Sequence, residues 1–305
     1  MNEKLLNVSS SPHIRDKIKT NRIMLRVILA LMPTSLAGIY FFGIRAALIL
    51  IFSVCCALFF ESAWCRLAKK RLTVGDLSAA VTGLLIGLNL SPSTPLWVIV
   101  IANGFAIIIV KELFGGLGHN VVNPAMAARA FVLICWPVIL SDFPAPRGAA
   151  DAISSATVLS GGAVSHFNAF IGNMQGCIGE VSKLSILIGG AYLILTKTIK
   201  PYIPLAFVGT VYVFTSLAGQ CGIMNILSGG VMLGAFFMAT DYVTSPITNA
   251  GKIVMGIGCG VITSVIRLWG GYPEGVTFAI LLMNAATPLI DKLFIPKRYG
   301  KSQAR

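Results

Sequence analysis

The sequence predicts an all-α polytopic membrane protein of about ten transmembrane helices, arranged as two inverted five-helix repeats with broken helices. Three observations predict it. The chain is 56% hydrophobic and only 11% charged, against about 25% charged for an average soluble domain, so a water-soluble fold could not bury its apolar surface. The apolar runs follow one another with short connections. The basic residues sit at the ends of those runs and at the two termini, the pattern of positive charge held on the cytoplasmic side of a membrane.

A crossing takes about 20 apolar residues, and candidate spans fall at 24–43, 45–65, 78–90, 96–110, 124–140, 184–199, 203–218, 226–240, 252–267 and 275–291. The polar stretch before the first run, with no small-residue cleavage site after a short apolar core, predicts an uncleaved first helix. With the N-terminus inside, the inner connections collect 18 of the 24 Lys and Arg residues. The outer ones hold Arg45, Arg147, Lys183 and Arg267, while Arg26 and Arg129 fall within spans. This bias puts both termini on the cytoplasmic side and the long polar segment 141–183 on the outer face. The chain then divides into a cytoplasmic segment 1–23, a first five-helix repeat 24–140, the outward loop 141–183, a second repeat 184–291 and a basic cytoplasmic tail 292–305. Because topology accounts for the formal charge of +13, the expected partner is the lipid bilayer, not nucleic acid.

The seven cysteines form no CxxC, and most lie inside apolar runs, where a thiol packs as a small hydrophobe. Neither iron–sulfur ligation nor a disulfide framework is expected, although a pairing of Cys177 with Cys221, both in outward connections, stays open. His13, His119 and His166 are too scattered for a metal site.

The halves repeat. Ser91-Pro92, an apolar run and Phe114-Gly115-Gly116 return as Ser245-Pro246, an apolar run and Trp269-Gly270-Gly271, about 155 residues later. Five spans separate equivalent positions, so each turn reappears on the opposite side of the membrane. Short, Gly- or Pro-interrupted spans at matching places in two halves point to a site near the midplane, because the backbone groups that a broken helix frees must be satisfied by protein, water or ligand.

The outward loop contains Asp151-Ala152-Ile153-Ser154-Ser155-Ala156-Thr157, a hydroxyl flanked by small residues on a solvent-side segment that a modifying enzyme can reach; a plain polar linker is the other reading. The stretch resembles the acceptor motif of the flavin transferases, Asp-x-x-Ser/Thr-Gly-Ala-Thr, whose last threonine is joined to FMN through the phosphate. Ser155 stands where glycine is usual.

The rest of the chain is similar to the family of D subunits of Rnf electron-transport complexes, related to the B subunit of the sodium-pumping NADH:quinone reductase. The likeness runs through Ser9-Ser10-Ser11-Pro12-His13, Thr82-Gly83-Leu84-Leu85, Phe114 to Asn120 with Asn123-Pro124-Ala125, Ala239 to Pro246, and Tyr272-Pro273-Glu274-Gly275-Val276 with Met283-Asn284. The short N-terminal segment favours the Rnf member. This resemblance implies one component, not catalytic alone, of a prokaryotic membrane complex that moves electrons between ferredoxin and NAD while translocating Na+ or H+. It also implies covalent FMN on Thr157, facing outward, with Asp151, Ser154, Ser155 and Ala156 completing the attachment motif. A non-covalent riboflavin, a flavin transferase for maturation, and the other membrane and peripheral subunits as partners follow from the same resemblance. An inverted-repeat transporter or channel without flavin is the alternative from another class.

Charges inside a membrane are costly and point to function. Arg129 is the foremost of them, either holding a flavin phosphate or hydroxyl or pairing with a carboxylate to join helices, and Asp241, beside a broken segment, is a candidate for a cation path. Glu61, Glu112 and Arg267 lie near span ends, where snorkelling to the interface is expected. Gly256-Ile257-Gly258-Cys259-Gly260 predicts close helix packing rather than a dinucleotide loop, and aromatics such as Trp64, Trp97, Trp136 and Trp269 sit where an interfacial belt is expected.

Overall fold

In an apolar medium the backbone must satisfy itself, which for runs of this length dictates helix. The computed structural model, which describes residues 20–70, 72–144, 146, 166–270 and 274–295, is helical with no strand among the described residues. Helices α1 (Thr20–Phe42) and α2 (Ile44–Leu67) fold back on each other at Gly43, whose φ of 76° suits a residue without Cβ. Next come α3 (Ser78–Leu88) and α4 (Leu96–Gly104), the latter continuing as a π-helix over Phe105–Glu112. The first half ends with α5 (Pro124–Cys135) and the short α6 (Pro137–Ser141). A short α7 (His166–Ile171) leads to α8 (Lys183–Leu195), α9 (Tyr202–Leu217) and α10 (Gly222–Leu227). One turn, α11 (Val231–Leu233), passes into a second π-helical stretch, Gly234–Met238, before α12 (Asn249–Trp269) and α13 (Val276–Leu293).

Four of these, α1, α2, α12 and α13, are long and apolar enough to cross a membrane, and α3, α5, α8 and α9 are shorter apolar helices. All ten predicted runs are largely helical, but they are not ten uniform rods. The run 124–140 breaks at Trp136, because Pro137 has no N–H to continue the ladder. The run 96–110 changes from α to π geometry, and 226–240 is interrupted by Ser228-Gly229-Gly230 before α11 begins.

Polar contacts show which helix ends lie together. At one end of the bundle Asn21 Nδ2 donates to Gly75 O at 2.8 Å, Arg26 to Thr196 O at 3.3 Å, Lys200 Nζ to Asn249 Oδ1 at 2.8 Å, and the Ile247 amide to Asp291 Oδ1 at 3.0 Å. The beginning of α1 and the end of α13 therefore share that end. At the far end Arg45 donates to Ser93 O at 3.0 Å, and Trp97 meets Trp136 edge to face with centroids 5.1 Å apart.

The described part of the polar segment before α8 packs into the bundle, where Met174, Cys177, Ile178 and Glu180 are buried. Its Ile178 and Gly179 amides donate to Leu90 O at 3.1 Å and Leu88 O at 2.7 Å. A helix end leaves four carbonyls unpaired, and this segment supplies partners for those at the end of α3.

Close approach works as the glycines of α12 predict. A Cβ on Gly256 would stand 2.8 Å from Ile203 O and 2.7 Å from the Ala206 methyl on α9, so Gly256→Val must push the two helices apart, at a cost of about 1–3 kcal/mol. Gly209 on α9 has nothing within 4 Å of its own Cβ position. In detergent the Gly256→Val protein should melt at lower temperature than wild type while Gly209→Val matches it; equal melting of all three would refute the tight α9–α12 contact.

Candidate functional site

Two broken helices meet inside the bundle, and charge collects where they meet. Asn89 follows the end of α3, Gly230 precedes α11, and Arg129 enters between them from α5. Its guanidinium is 6% exposed. Nη1 donates to Asn89 Oδ1 and, at 2.7 Å, to Glu180 Oε1, while Nη2 donates to Glu274 Oε2 and, at 3.5 Å, to Cys177 Sγ. The other Glu274 oxygen accepts the Gly230 amide at 3.1 Å, which caps α11. Lys183, fully buried, donates to Glu180 O and to Gly229 O, the latter at 3.0 Å. Arg267 of α12 donates to Asn225 O at 2.5 Å and Ser228 O at 3.1 Å, at the end of α10.

Chain segments from both halves thus share one buried ionic junction. A guanidinium presents its donors as a rigid planar fork, and here that fork spans two carboxylates belonging to different segments. Burial works against the Glu180 carboxylate, but Arg129 and Lys183 outweigh it and hold its pKa below the usual range. Burial raises Glu274, and although Arg129 opposes this, the negative Glu180 beside it adds to the rise.

Both terminal nitrogens of Arg129 pair with carboxylates, while its Nε is buried without a hydrogen-bond partner among the described residues. Its partners Glu180 and Glu274 are site residues that the sequence reading misses. For Glu274 a signal exists, since it stands inside the Tyr272 to Val276 motif. Cys177 and Cys221 are not paired; Cys177 is buried against Arg129 and Cys221 is exposed, 3.6 Å from His166 Nε2.

Asp241 sits elsewhere, at the end of the second π-helical stretch. It borders a cavity of about 90 Å³ between the halves, whose polar lining includes Ser78, Thr82, Lys111, Asn120 and Asn123. Burial raises the Asp241 carboxyl, and hydrogen bonds from Thr244, at 3.2 Å, and from Asn120 oppose that rise. Asn123 ties the halves there: its Oδ1 caps α5 by accepting the Ala125 and Met126 amides at 3.0 and 3.2 Å, while its Nδ2 donates to Met238 O at 3.2 Å.

The span-end charges do not snorkel. Glu61 is 0% exposed and pairs with Lys111 at 2.6 Å, Glu112 is buried, and Arg267 is held by carbonyls. Partners explain the difference: each of these groups finds an opposite charge or a carbonyl within the bundle.

Asp151, Ser154, Ser155, Ala156 and Thr157 lie outside the described residues. The described flank before them is held by Ser91 and Ser93, whose hydroxyls donate to Asp142 O at 2.5 and 2.8 Å. After them, the chain passes through α7 into the segment that carries Glu180.

Removing one partner of a buried ion pair costs about 3–5 kcal/mol, because the other is left charged and unpaired. Arg129→Met strands two carboxylates and should abolish accumulation of folded protein, with Arg129→Lys intermediate because an ammonium lacks the fork. Fluorescence-detected size exclusion of detergent extracts measures this; wild-type levels for Arg129→Met would show that the junction does not hold the fold.

The chain matches the model of the NQR2, RnfD, RnfE family over residues 7–300. It is 46% identical, over all of its own length and 98% of the relative's, to the D subunit of the Na+-translocating ferredoxin:NAD+ oxidoreductase complex of Acetobacterium woodii. Identity is 40% to the D subunit of the proton-translocating ferredoxin:NAD+ oxidoreductase complex of Clostridium ljungdahlii, covering 97% of this chain and 96% of that one. It is 38% to the D subunit of the ion-translocating oxidoreductase complex of Stutzerimonas stutzeri, covering 92% of each. With likeness of this extent along the whole chain, the protein belongs to the NQR2, RnfD, RnfE family.

Proposed function

We propose that this chain is the flavin-bearing membrane subunit of an Rnf-type complex that couples electron transfer between ferredoxin and NAD to Na+ or H+ translocation. The observation that carries the reading is full-length identity of 46% to a D subunit of such a complex, joined to the motif Asp151 to Thr157. In the proposal FMN is esterified to Thr157 through its phosphate, after attachment by a flavin transferase. The ten helical runs cross the membrane as two inverted repeats, both termini are cytoplasmic, and the Thr157 segment faces outward. The grouping of helix ends supports this orientation: the start of α1 and the end of α13 lie at one end of the bundle, and Asp142, which leads into the segment, lies at the other beside Ser91 and Ser93.

When bound, FMN supplies reversible electron acceptance and donation, the protein contributing position and electrostatics. A covalent link suits a flavin on a face with no cofactor supply, since a dissociated molecule there is lost. A non-covalent riboflavin belongs to the proposal through the family resemblance alone. No residue of the chain is assigned to it. The other subunits of the complex are the proposed partners.

A denaturing gel of membranes from cells that contain the transferase tests the flavin. Under ultraviolet light a band near 32.4 kDa should fluoresce in wild type and vanish in Thr157→Ala, and its absence in wild type would favour a transporter without flavin. A cysteine placed at Ser160 should react with an impermeant thiol reagent in intact cells; protection until the membrane is opened would reverse the orientation.

A further inference from the structure

Away from the junction, one surface groove combines an apolar trough with polar groups that the chain does not satisfy. It has a volume of about 500 Å³ and lies between α2 and the turn leading into α4, at the end of the bundle where Trp97 meets Trp136. Ile44, Leu48 and Phe52 recur at every fourth position of α2, Ile49 forms the buried floor, and Leu96 stands on the opposite wall. From Ile44 to Phe52 the helix rises about 12 Å, most of the roughly 15 Å of hydrocarbon in one leaflet. The trough therefore has the length of an acyl chain's path from the interface inward.

Its mouth is polar. Arg45 is exposed, donates from Nη2 to Ser93 O at 3.0 Å and has no ion pair among the described residues. One such bond uses little of a guanidinium's planar donor fork, whose geometry matches a phosphate. Lys183 and Arg267, two other basic residues expected on that face, are instead taken up by backbone carbonyls. Thr94 lines the same groove, is 1% exposed, and its hydroxyl has no hydrogen-bond partner among the described residues, although a buried polar group left unpaired is costly. The wall continues into α4, which begins at Leu96 without a side-chain cap, so its first-turn amides add positive potential there.

Charge decides between the occupants that an apolar trough admits. A transmembrane helix of a neighbouring subunit arrives with its backbone already satisfied and brings nothing to the mouth unless it carries an acid. A phospholipid brings a phosphate to the mouth and an acyl chain to the trough. We infer that this groove seats one anionic phospholipid, its phosphate held by Arg45 and the Thr94 hydroxyl and one acyl chain lying along Ile44, Leu48 and Phe52. A lipid held there fastens α2 to the turn at the rim of the outward segment: Ser93 offers its carbonyl to Arg45 and donates its hydroxyl to Asp142 O at 2.8 Å.

The full-length chain, purified in detergent and stripped of lipid, should melt at a higher temperature when dioleoyl phosphatidylglycerol is added. The lipid concentration giving half of that rise should increase about tenfold in Arg45→Gln and in Thr94→Val, the equivalent of one hydrogen bond to a charged group. Without lipid, Thr94→Val should melt no lower than wild type, because it removes an unpaired hydroxyl; a marked loss would make that hydroxyl part of the fold and overturn its role as a ligand. Leu48→Trp fills the trough from an exposed position and should abolish the rise with Arg45 and Thr94 still in place. Equal rises in wild type and all three variants would reduce the effect to general solvation by lipid and overturn the proposal. So would an equal rise with zwitterionic dioleoyl phosphatidylcholine, or a rise with glycerol 3-phosphate, which has the head and no tail. In the whole complex, phosphatidylglycerol with a photoactivatable acyl chain should label α2 between Ile44 and Phe52. A cross-linker on Leu48→Cys that instead captures another subunit would seat a partner helix in the groove and overturn the assignment to lipid.

Discussion

Helices that end inside an apolar bundle leave amides and carbonyls that water does not reach, and the centre of this protein is organised around satisfying them. The end of α3 and the start of α11 are the two breaks. Amides of the segment before α8 take the Leu88 and Leu90 carbonyls, and Glu274 takes the Gly230 amide. Using a carboxylate as a cap brings charge into the interior, where an unpaired ion is far more costly than an unpaired amide. Arg129 is the consequence: one planar cation joins Glu274 to Glu180, and Lys183 binds the backbone on either side. The broken helices and the ionic junction are therefore a single device.

With three basic groups, Arg129, Lys183 and Arg267, and two acidic ones, the junction carries an excess of one positive charge when all are ionised. Carbonyls accept the surplus, those of Asn225 and Ser228 from Arg267 and those of Glu180 and Gly229 from Lys183. A carbonyl stabilises a cation without cancelling it, so with all five groups ionised the junction keeps a net positive charge. The pair formed by Glu61 and Lys111 is neutral and sits on other helices, which separates the two electrostatic sites of the protein.

Elements whose evidence is local were legible in the sequence. Apolar length marked the helical runs, Ser-Pro and Gly-Gly marked the turns, and the glycines of α12 announced close helix packing. Arg129 stood out because a charge in an apolar run is costly. What stayed hidden depends on distant pairing. Glu180 lies in a polar stretch where an acid attracts no notice, and only the folding of that stretch into the bundle buries it. Glu61 and Lys111 are 50 residues apart and each looks like an ordinary span end. The π-helical stretches were invisible because a uniformly apolar run has the same composition at either pitch.

The segment that bears Thr157 is anchored differently at its two ends. Before it, Asp142 is held through its carbonyl by two exposed or half-buried hydroxyl contacts at the rim. After it, the chain runs into Cys177, Glu180 and Lys183, the buried junction itself. A group attached at Thr157 would be about 20 residues from that junction along the chain, and joined to it through a stretch whose amides also close α3. Loosening the rim anchor leaves the core untouched, whereas any displacement of the inner anchor must open the α3 cap and the Arg129 fork together. Position for an outward-facing flavin would thus come from the same contacts that let the helices break, and a scaffold with ten continuous rods would have no buried segment to fasten the loop to.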